Sequence, residues 1–234
     1  MRINKFISET GFCSRREADK LVESGKVTIN GETAVLGSQA EEGDDVRVDG
    51  RPLTSKPKSH VYIALNKPVG ITSTTEQHIK GNIVDFVGHT ERIFPIGRLD
   101  KDSEGLILMT SDGDVVNKIL RAEGKHEKEY IVTVDKPVTT SFLTGMAGGV
   151  KILGEMTRPC TITRISERVF KIILTEGKNR QIRRMCSAFG YSVRKLQRIR
   201  IMNIHLGSLP KGQWRDLTDA EKKELSRSLH YDLV

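Results

Sequence analysis

The stretch PIGRLDKDSEGLILMTSDG, residues 95–113, sets three carboxylates on alternate residues, Asp100, Asp102 and Glu104, directly ahead of an apolar run. Such a pattern could ligate a cation, supply a nucleophile or base, or solvate the entry to a buried strand. Asp100-x-Asp102-x-Glu104-Gly105 imitates the opening of a calcium loop of the EF-hand type, with Ile107 at its hydrophobic position. That loop needs a bidentate glutamate at its twelfth position, where this chain has Ser111, and neither flank reads as a helix. No metal is expected. Asp102 and Glu104 read as solvated residues at the start of a strand. Asp100 differs because it follows Gly97-Arg98-Leu99: the glycine permits an unusual backbone and Leu99 can anchor the loop in the core. A carboxylate held in that way is preorganised as a nucleophile or base.

A second region is EGKNRQIRRMCSAFGYSVRKLQRIR. Between Lys178 and Arg200 it carries eight Lys and Arg residues and no acid. Placed on a helix, Ile182, Met185, Cys186 and Phe189 form a buried stripe and most of the guanidiniums face outward. Uncompensated cations on one surface repel each other, and a polyanion relieves that repulsion. The segment is not a phosphate-binding P-loop, since it lacks the upstream glycine and a Ser or Thr after the lysine. A third candidate, Tyr130, opens the strand pattern EYIVTV. The six histidines form no i, i+4 pair, and neither a Gly-x-Ser-x-Gly elbow nor a glycine-rich dinucleotide loop is present. Metal-hydrolase, serine-hydrolase and nicotinamide-dependent chemistry therefore lack support.

The elements that must hold these residues fall into two parts. Residues 1–51 read as a small unit: a helix over INKFISE, then a capping box in which Ser14 and Glu17 start a second helix stabilised by Ala18, Leu21 and Val22. Asn30-Gly31 is a two-residue hairpin signal, and an Asp-Gly turn closes the unit. Arg15, Arg16, Lys20 and Lys26 cluster on the second helix and its exit, apart from the acids at the other end, as a phosphate-contacting face requires. Residues 52–60 read as a Pro- and Ser-containing linker. From 61 to 234, short β runs outnumber helices, which predicts an α+β unit on a mixed, mostly antiparallel sheet with flanking helices. Near the end, Thr218 and Glu221 have capping-box spacing.

Composition narrows the partner. The 234-residue chain has 38 Lys and Arg against 30 Asp and Glu, a formal charge of +8 and a pI near 9.4. That balance favours nucleic acid over an acidic or calcium-buffering role. No stretch approaches the apolar length of a membrane helix, and the N-terminus lacks the apolar core of a secretory signal. Three scattered cysteines fit a reducing, cytoplasmic compartment without a zinc ribbon. A monomer is the default expectation.

Taken together and in order, NKPVG, PIGRLDKDSEGLILMTSDG, HEKEYIVTV and EGKNRQIRRM resemble the motifs of bacterial pseudouridine synthases, in the branch that modifies ribosomal RNA and carries an N-terminal S4 domain. SRREADKLVESGKVTING is similar to the S4 RNA-binding signature. Within that branch, LNKPVGITSTTE, NIVDFV and RIRIMNI look most like the F type of the synthases that act on large ribosomal RNA. The resemblance implies an α+β catalytic domain behind an S4 domain, acting without a cofactor on a uridine of 23S ribosomal RNA. Alternatives are 16S ribosomal RNA, tRNA, or a non-catalytic S4-type assembly factor. The resemblance also implies that Asp100 is the nucleophile on a flipped-out uridine. It further implies that Tyr130 lines the pocket against the base, that Arg183 pairs with Asp100, and that Arg98 helps hold the flipped conformation. By the same resemblance, Lys67 in NKPVG is expected to support the active-site loop. Ser14, Arg15, Arg16, Lys20, Lys26, Lys67, Lys178, Arg180, Gln181 and Arg184 are the expected RNA contacts.

Overall fold

Two glycine turns shape the first part of the chain. Asn30 and Gly31 both take positive φ (51° and 88°), as do Asp49 and Gly50 (49° and 75°), and such turns match the twist of the strands they join. The structure, a computed structural model, describes residues 1–53 and 60–233. These divide into two units, 1–53 and 60–233. The first holds helices α1 (Ile3–Glu9) and α2 (Arg15–Glu23) and strands β1 (Val27–Ile29), β2 (Glu32–Thr33), β3 (Val46–Val48) and β4 (Arg51–Pro52). The strands form an antiparallel sheet in the order β2-β1-β3-β4. The capping box forms: the Glu17 amide donates to Ser14 Oγ (3.2 Å) and the Ser14 amide to the Glu17 carboxylate (2.8 Å). Ile3, Ile7, Ala18, Val22, Val27, Val46 and Val48 build its core. Pro52 pairs with Arg47, and the Leu53 amide donates to the Val46 carbonyl (2.8 Å). This unit therefore runs past residue 51, and the rest of the expected linker, 54–59, lies outside the described residues.

The second unit runs β5 (Tyr62–Lys67), α3 (Ile83–Val87), β6 (Phe94–Ile96), β7 (Glu104–Thr110), α4 (Gly113–Leu120), β8 (Lys128–Val134), α5 (Thr140–Ala147), β9 (Lys151–Ile152) and β10 (Glu155–Met156). It continues through β11 (Thr161–Ser166), β12 (Val169–Leu174), α6 (Gln181–Ala188), β13 (Val193–Ile201), β14 (Ile204–His205), β15 (Trp214–Asp216) and α7 (Asp219–Leu229). The main sheet has the order β11-β12-β8-β13-β7-β5-β15. Its pairs are antiparallel except β13 with β7. β5 and β7 are buried on both faces. Ile63, Leu65, Ile107 and Met109 enter one core with residues of α5 and α6, while Tyr62, Ala64, Leu106 and Leu108 enter a second with residues of α4 and α7. The α+β expectation and the mostly antiparallel sheet hold, and Thr218 with Glu221 caps α7.

The basic segment departs from expectation. Only Gln181–Ala188 is helical, and Val193–Ile201 is a strand at the centre of the sheet between β8 and β7. Its bulges, between Val193 and Lys195 and between Arg198 and Arg200, break the two-residue alternation. The apolar positions 193, 196, 199 and 201 then imitate helical spacing. The missing acids come from other strands. Arg200 meets Glu127 and Glu129 at 2.8 and 2.7 Å, and Lys195 meets Glu104 at 3.0 Å. Glu104 is accordingly not a solvated strand-entry residue: it is 4% exposed and held also by Lys211 at 2.7 Å. Phe189, expected in the stripe of α6, is exposed instead. Gly105 is required where β13 crosses beside β7, since a Cβ there would lie 2.3 Å from the Arg198 carbonyl oxygen.

Candidate active site

Asp100 lies on a loop that is tied down on nearly every side. Gly97 turns it with φ +77°, and a Cβ at that position would press on Leu120 at 2.9 Å. Leu99 is buried, and its amide and carbonyl both bond to the hydroxyl of Ser73, at 3.2 and 2.8 Å. The Gly70 amide donates to the Lys101 carbonyl (2.8 Å), and the Ser103 amide to the Asp100 carbonyl (3.0 Å). Lys67, at the end of β5, donates its ammonium to the carbonyls of Pro68 (2.9 Å) and Ser103 (2.8 Å). Its side chain is fully buried, and that burial pushes its pKa down to about 8. The segment 67–73 thus forms a backing for the loop.

Helix α6 supplies the cations. Its N-cap residue, Arg180, has a left-handed backbone (φ 49°, ψ 36°), a strain of about 1 kcal/mol or more for a side chain with a Cβ. The conformation accompanies a two-pronged bond from its guanidinium to both oxygens of Asp102, each 3.1 Å, with Asp100 Oδ2 at 3.4 Å. Arg183, one turn along, donates Nη2 to the Asp102 carbonyl (2.9 Å) and to Ser103 Oγ (3.1 Å), and Nη1 to the Val193 carbonyl (3.3 Å). Its Nε is buried, lacks a hydrogen-bond partner and sits 3.9 Å from Asp100 Oδ2. Hydrogen bonding from Arg180 holds the Asp102 carboxyl below its ordinary range, reinforced by the charge of Arg183. Asp102 is therefore an ion-paired brace, not a merely solvated residue.

The opposite wall comes from the sheet. Tyr130 on β8 faces Arg198 on β13 in register, with the guanidinium carbon 6.0 Å from the ring centroid. Arg198 is 3% exposed and donates Nε to the Leu106 carbonyl (2.7 Å). Two residues before Tyr130, and so on the same face of the strand, Lys128 donates to the His126 carbonyl (3.3 Å). Burial pushes its pKa down to about 8. Asp100, Arg98, Tyr130, Arg180, Lys128 and Arg198 all line one open cleft of about 940 Å³. Arg98 lies exposed at its margin.

Two expected RNA contacts are buried, and of these Gln181 lines the cleft. Lys67 is out of reach of any phosphate and serves the loop instead, as NKPVG suggested. Gln181 is 4% exposed, and its amide bonds within its own segment, to Glu176 (2.8 Å) and to the Lys178 amide (3.0 Å). Lys178 pairs with Glu155. Arg184 is exposed beside Asn179. In the N-terminal unit the Ser14 hydroxyl caps α2, Arg15, Arg16 and Lys20 are exposed on it, and Lys26 pairs with Asp49 at 3.6 Å. The sequence reading did not single out Lys128, and it counted Arg198 only as one cation of the basic segment. A two-residue alternation starting from Tyr130 would have put Lys128 on the cleft face.

Lys67 yields a pH test. Its folded pKa, about 8, lies below its ordinary value of 10.5. Between those values the unfolded chain holds a proton at Lys67 that the folded protein lacks, so this residue makes stability rise with pH across that window. Comparing Lys67→Met with wild type by denaturant unfolding, we expect the difference to shift in favour of wild type as pH goes from 8 to 10.5. Parallel curves would contradict the burial of the ammonium.

Comparison with known proteins gives the family. The RNA pseudouridylate synthase family matches residues 61–188, and the S4 domain matches residues 1–46. The chain is 59% identical over 225 residues to the dual-specificity RNA pseudouridine synthase RluF of Salmonella typhi, covering 96% of this chain and 78% of that protein. It is 57% identical over 226 residues to the protein of that name from Escherichia coli K12, with the same coverage. A crystal structure of a pseudouridylate synthase superposes with a TM-score of 0.71 at 31% identity, covering 96% of this chain and 99% of that one. The chain belongs to the RNA pseudouridine synthases and carries an S4 domain at its N-terminal end.

Proposed function

We propose that the protein isomerises a specific uridine of 23S ribosomal RNA to pseudouridine, with Asp100 as the nucleophile. The observation that carries this reading is Asp100 itself, a carboxylate open to a large cleft on a loop fixed by Ser73, Gly70, Lys67 and Arg183. Two guanidiniums, those of Arg180 and Arg183, lie within 4 Å of its Oδ2. The target uridine leaves its stack and enters the cleft. Asp100 attacks C1′, the C1′–N1 bond breaks, the uracil turns, and C5 takes the place of N1 as Asp100 departs. Tyr130, nearly buried in the cleft wall, lines the space for the turning base. The net change is an isomerisation, with no electron acceptor or group donor to bind.

Extruding a stacked base costs a few kcal/mol, which phosphate contacts must offset. Arg98 and Lys101 at the cleft margin, Arg184 on α6, and Arg15, Arg16 and Lys20 on α2 are exposed and suited to that. The words "dual-specificity" in the names of the relatives favour a second RNA substrate, and a tRNA stem-loop of similar shape is the candidate. A ribosomal RNA substrate puts the reaction in the bacterial cytoplasm. Every cleft residue belongs to one chain, so a monomer suffices.

The reading is tested by mapping pseudouridine with carbodiimide in cells lacking the gene, complemented with wild type or Asp100→Asn. We expect one mark in 23S ribosomal RNA to disappear and only wild type to restore it. Restoration by Asp100→Asn would remove Asp100 from the nucleophile's role, and an unchanged set of marks would remove the assignment. For the N-terminal unit, Arg15→Ala/Arg16→Ala should lower the slope of log affinity against log salt by about 2, roughly one for each lost phosphate contact. An unchanged slope would mean a merely solvated helix face.

A further inference from the structure

The two walls of the cleft differ in charge balance. Around the aspartate loop, Arg180 and Arg183 face Asp100 and Asp102, two cations against two anions. On the sheet wall, Arg198 and Lys128 form no ion pair among the described residues. Their side chains bond to backbone carbonyls, those of Leu106 and His126. Glu104, on the strand beside Arg198, is already held by Lys195 and Lys211. Arg198 is 3% exposed, and its Nη2 is buried without any hydrogen-bond partner. Leaving a charged donor unsatisfied is costly, and two uncompensated cations in one wall repel. The positive charge of Arg198 adds to burial in depressing the Lys128 pKa. This is an arrangement completed by an anion, and it lies beside the ring of Tyr130, deep in the cleft and away from the phosphate-accessible margin.

We propose that Arg198 and Lys128 form an anion hole for the uracil while it is detached from the sugar. The inference rests on the isomerisation proposed above. When the Asp100–C1′ bond forms and the C1′–N1 bond breaks, the electron pair stays on N1 and spreads to O2 and O4 of the free base. The Arg198 guanidinium and the Lys128 ammonium, both in the cleft wall, face that charge. When C5 bonds to C1′, Asp100 leaves with its pair and the base is neutral again; the C5 proton is then lost and N1, which gave up its bond to the sugar, takes one up, so the net change is an isomerisation. Donors fixed in advance at the place where charge develops stabilise the transition state more than the ground state. Their fan of N–H groups also lets the ring turn without losing its counter-charge.

The test uses leaving-group chemistry. Fluorine at C5 withdraws electrons and makes the detached base a better leaving group, so 5-fluorouridine depends less on the protein's cations. Single-turnover consumption is followed in synthetic 23S-derived stem-loops carrying either uridine or 5-fluorouridine at the mapped position. Arg198→Gln should slow the uridine substrate about 10²-fold, and the 5-fluorouridine substrate about tenfold or less. Lys128→Gln, at a less buried position, should show a smaller deficit with the same dependence on fluorine, and it decides the matter if Arg198→Gln does not fold. Equal deficits on the two substrates, or no deficit in Lys128→Gln and Arg198→Gln, would overturn the anion hole alone. Failure of wild type to consume either RNA would overturn the assigned reaction and this inference with it.

Discussion

Arg183 stands where three parts of the catalytic unit meet, and the geometry of the site depends on it. Rooted in α6, it bonds to the backbone and a side chain of the 100–103 loop and to the carbonyl of Val193 at the start of β13. Two of those acceptors belong to one loop and the third to a strand far along the sequence, and a planar, forked donor can reach all of them where an ammonium cannot. The remaining donor, Nε, is left for Asp100. Arg180 complements it by holding both oxygens of Asp102, one of which also lies 3.4 Å from Arg183 Nη2. The local cost is a left-handed backbone at Arg180 and an unpaired Nε. Both are small beside the rigidity they give to one reactive side chain.

Beneath that loop, the sheet acts as a fixed wall. β13 is inserted between β8 and β7, so Arg198 arrives beside Tyr130 from within the core. Gly105 permits the close crossing. A guanidinium in such a place is unfavourable for folding unless it is used, and the catalytic unit tolerates it because two apolar cores on the two faces of the sheet carry the stability. Charge is therefore balanced on the aspartate side of the cleft and positive on the sheet side.

Much of this was legible in the sequence where local physics decides the outcome. The capping boxes at Ser14 and Thr218, the Asn30-Gly31 hairpin, and the apolar runs of β5, β7 and β8 all form as their residues predict. Asp100 stood apart from its neighbours because Gly97 and Leu99 flank it. The misreadings share a cause, which is compensation from distant strands. Lys178 to Arg200 contains no acid, yet Glu104, Glu127, Glu129 and Glu155 reach its cations in the fold. Two bulges in β13 broke the alternation that would have marked a strand, so Arg198 was not placed. Glu104 looked solvated because its partners, Lys195 and Lys211, are remote in sequence. Lys67 and Gln181 carry RNA-binding side chains, but their neighbours bury them.

The claim at the centre is that Arg183 acts by geometry as well as charge. The most direct measurement is steady-state kinetics of Arg183→Lys on an RNA stem-loop containing the mapped uridine. A fall in kcat of about 10²-fold is predicted, because lysine keeps the charge but cannot hold the loop and face Asp100 together. KM should stay within about threefold, since Arg183 is bound to the loop and not to RNA. A variant that keeps near wild-type kcat, or loses activity only through KM, would contradict it.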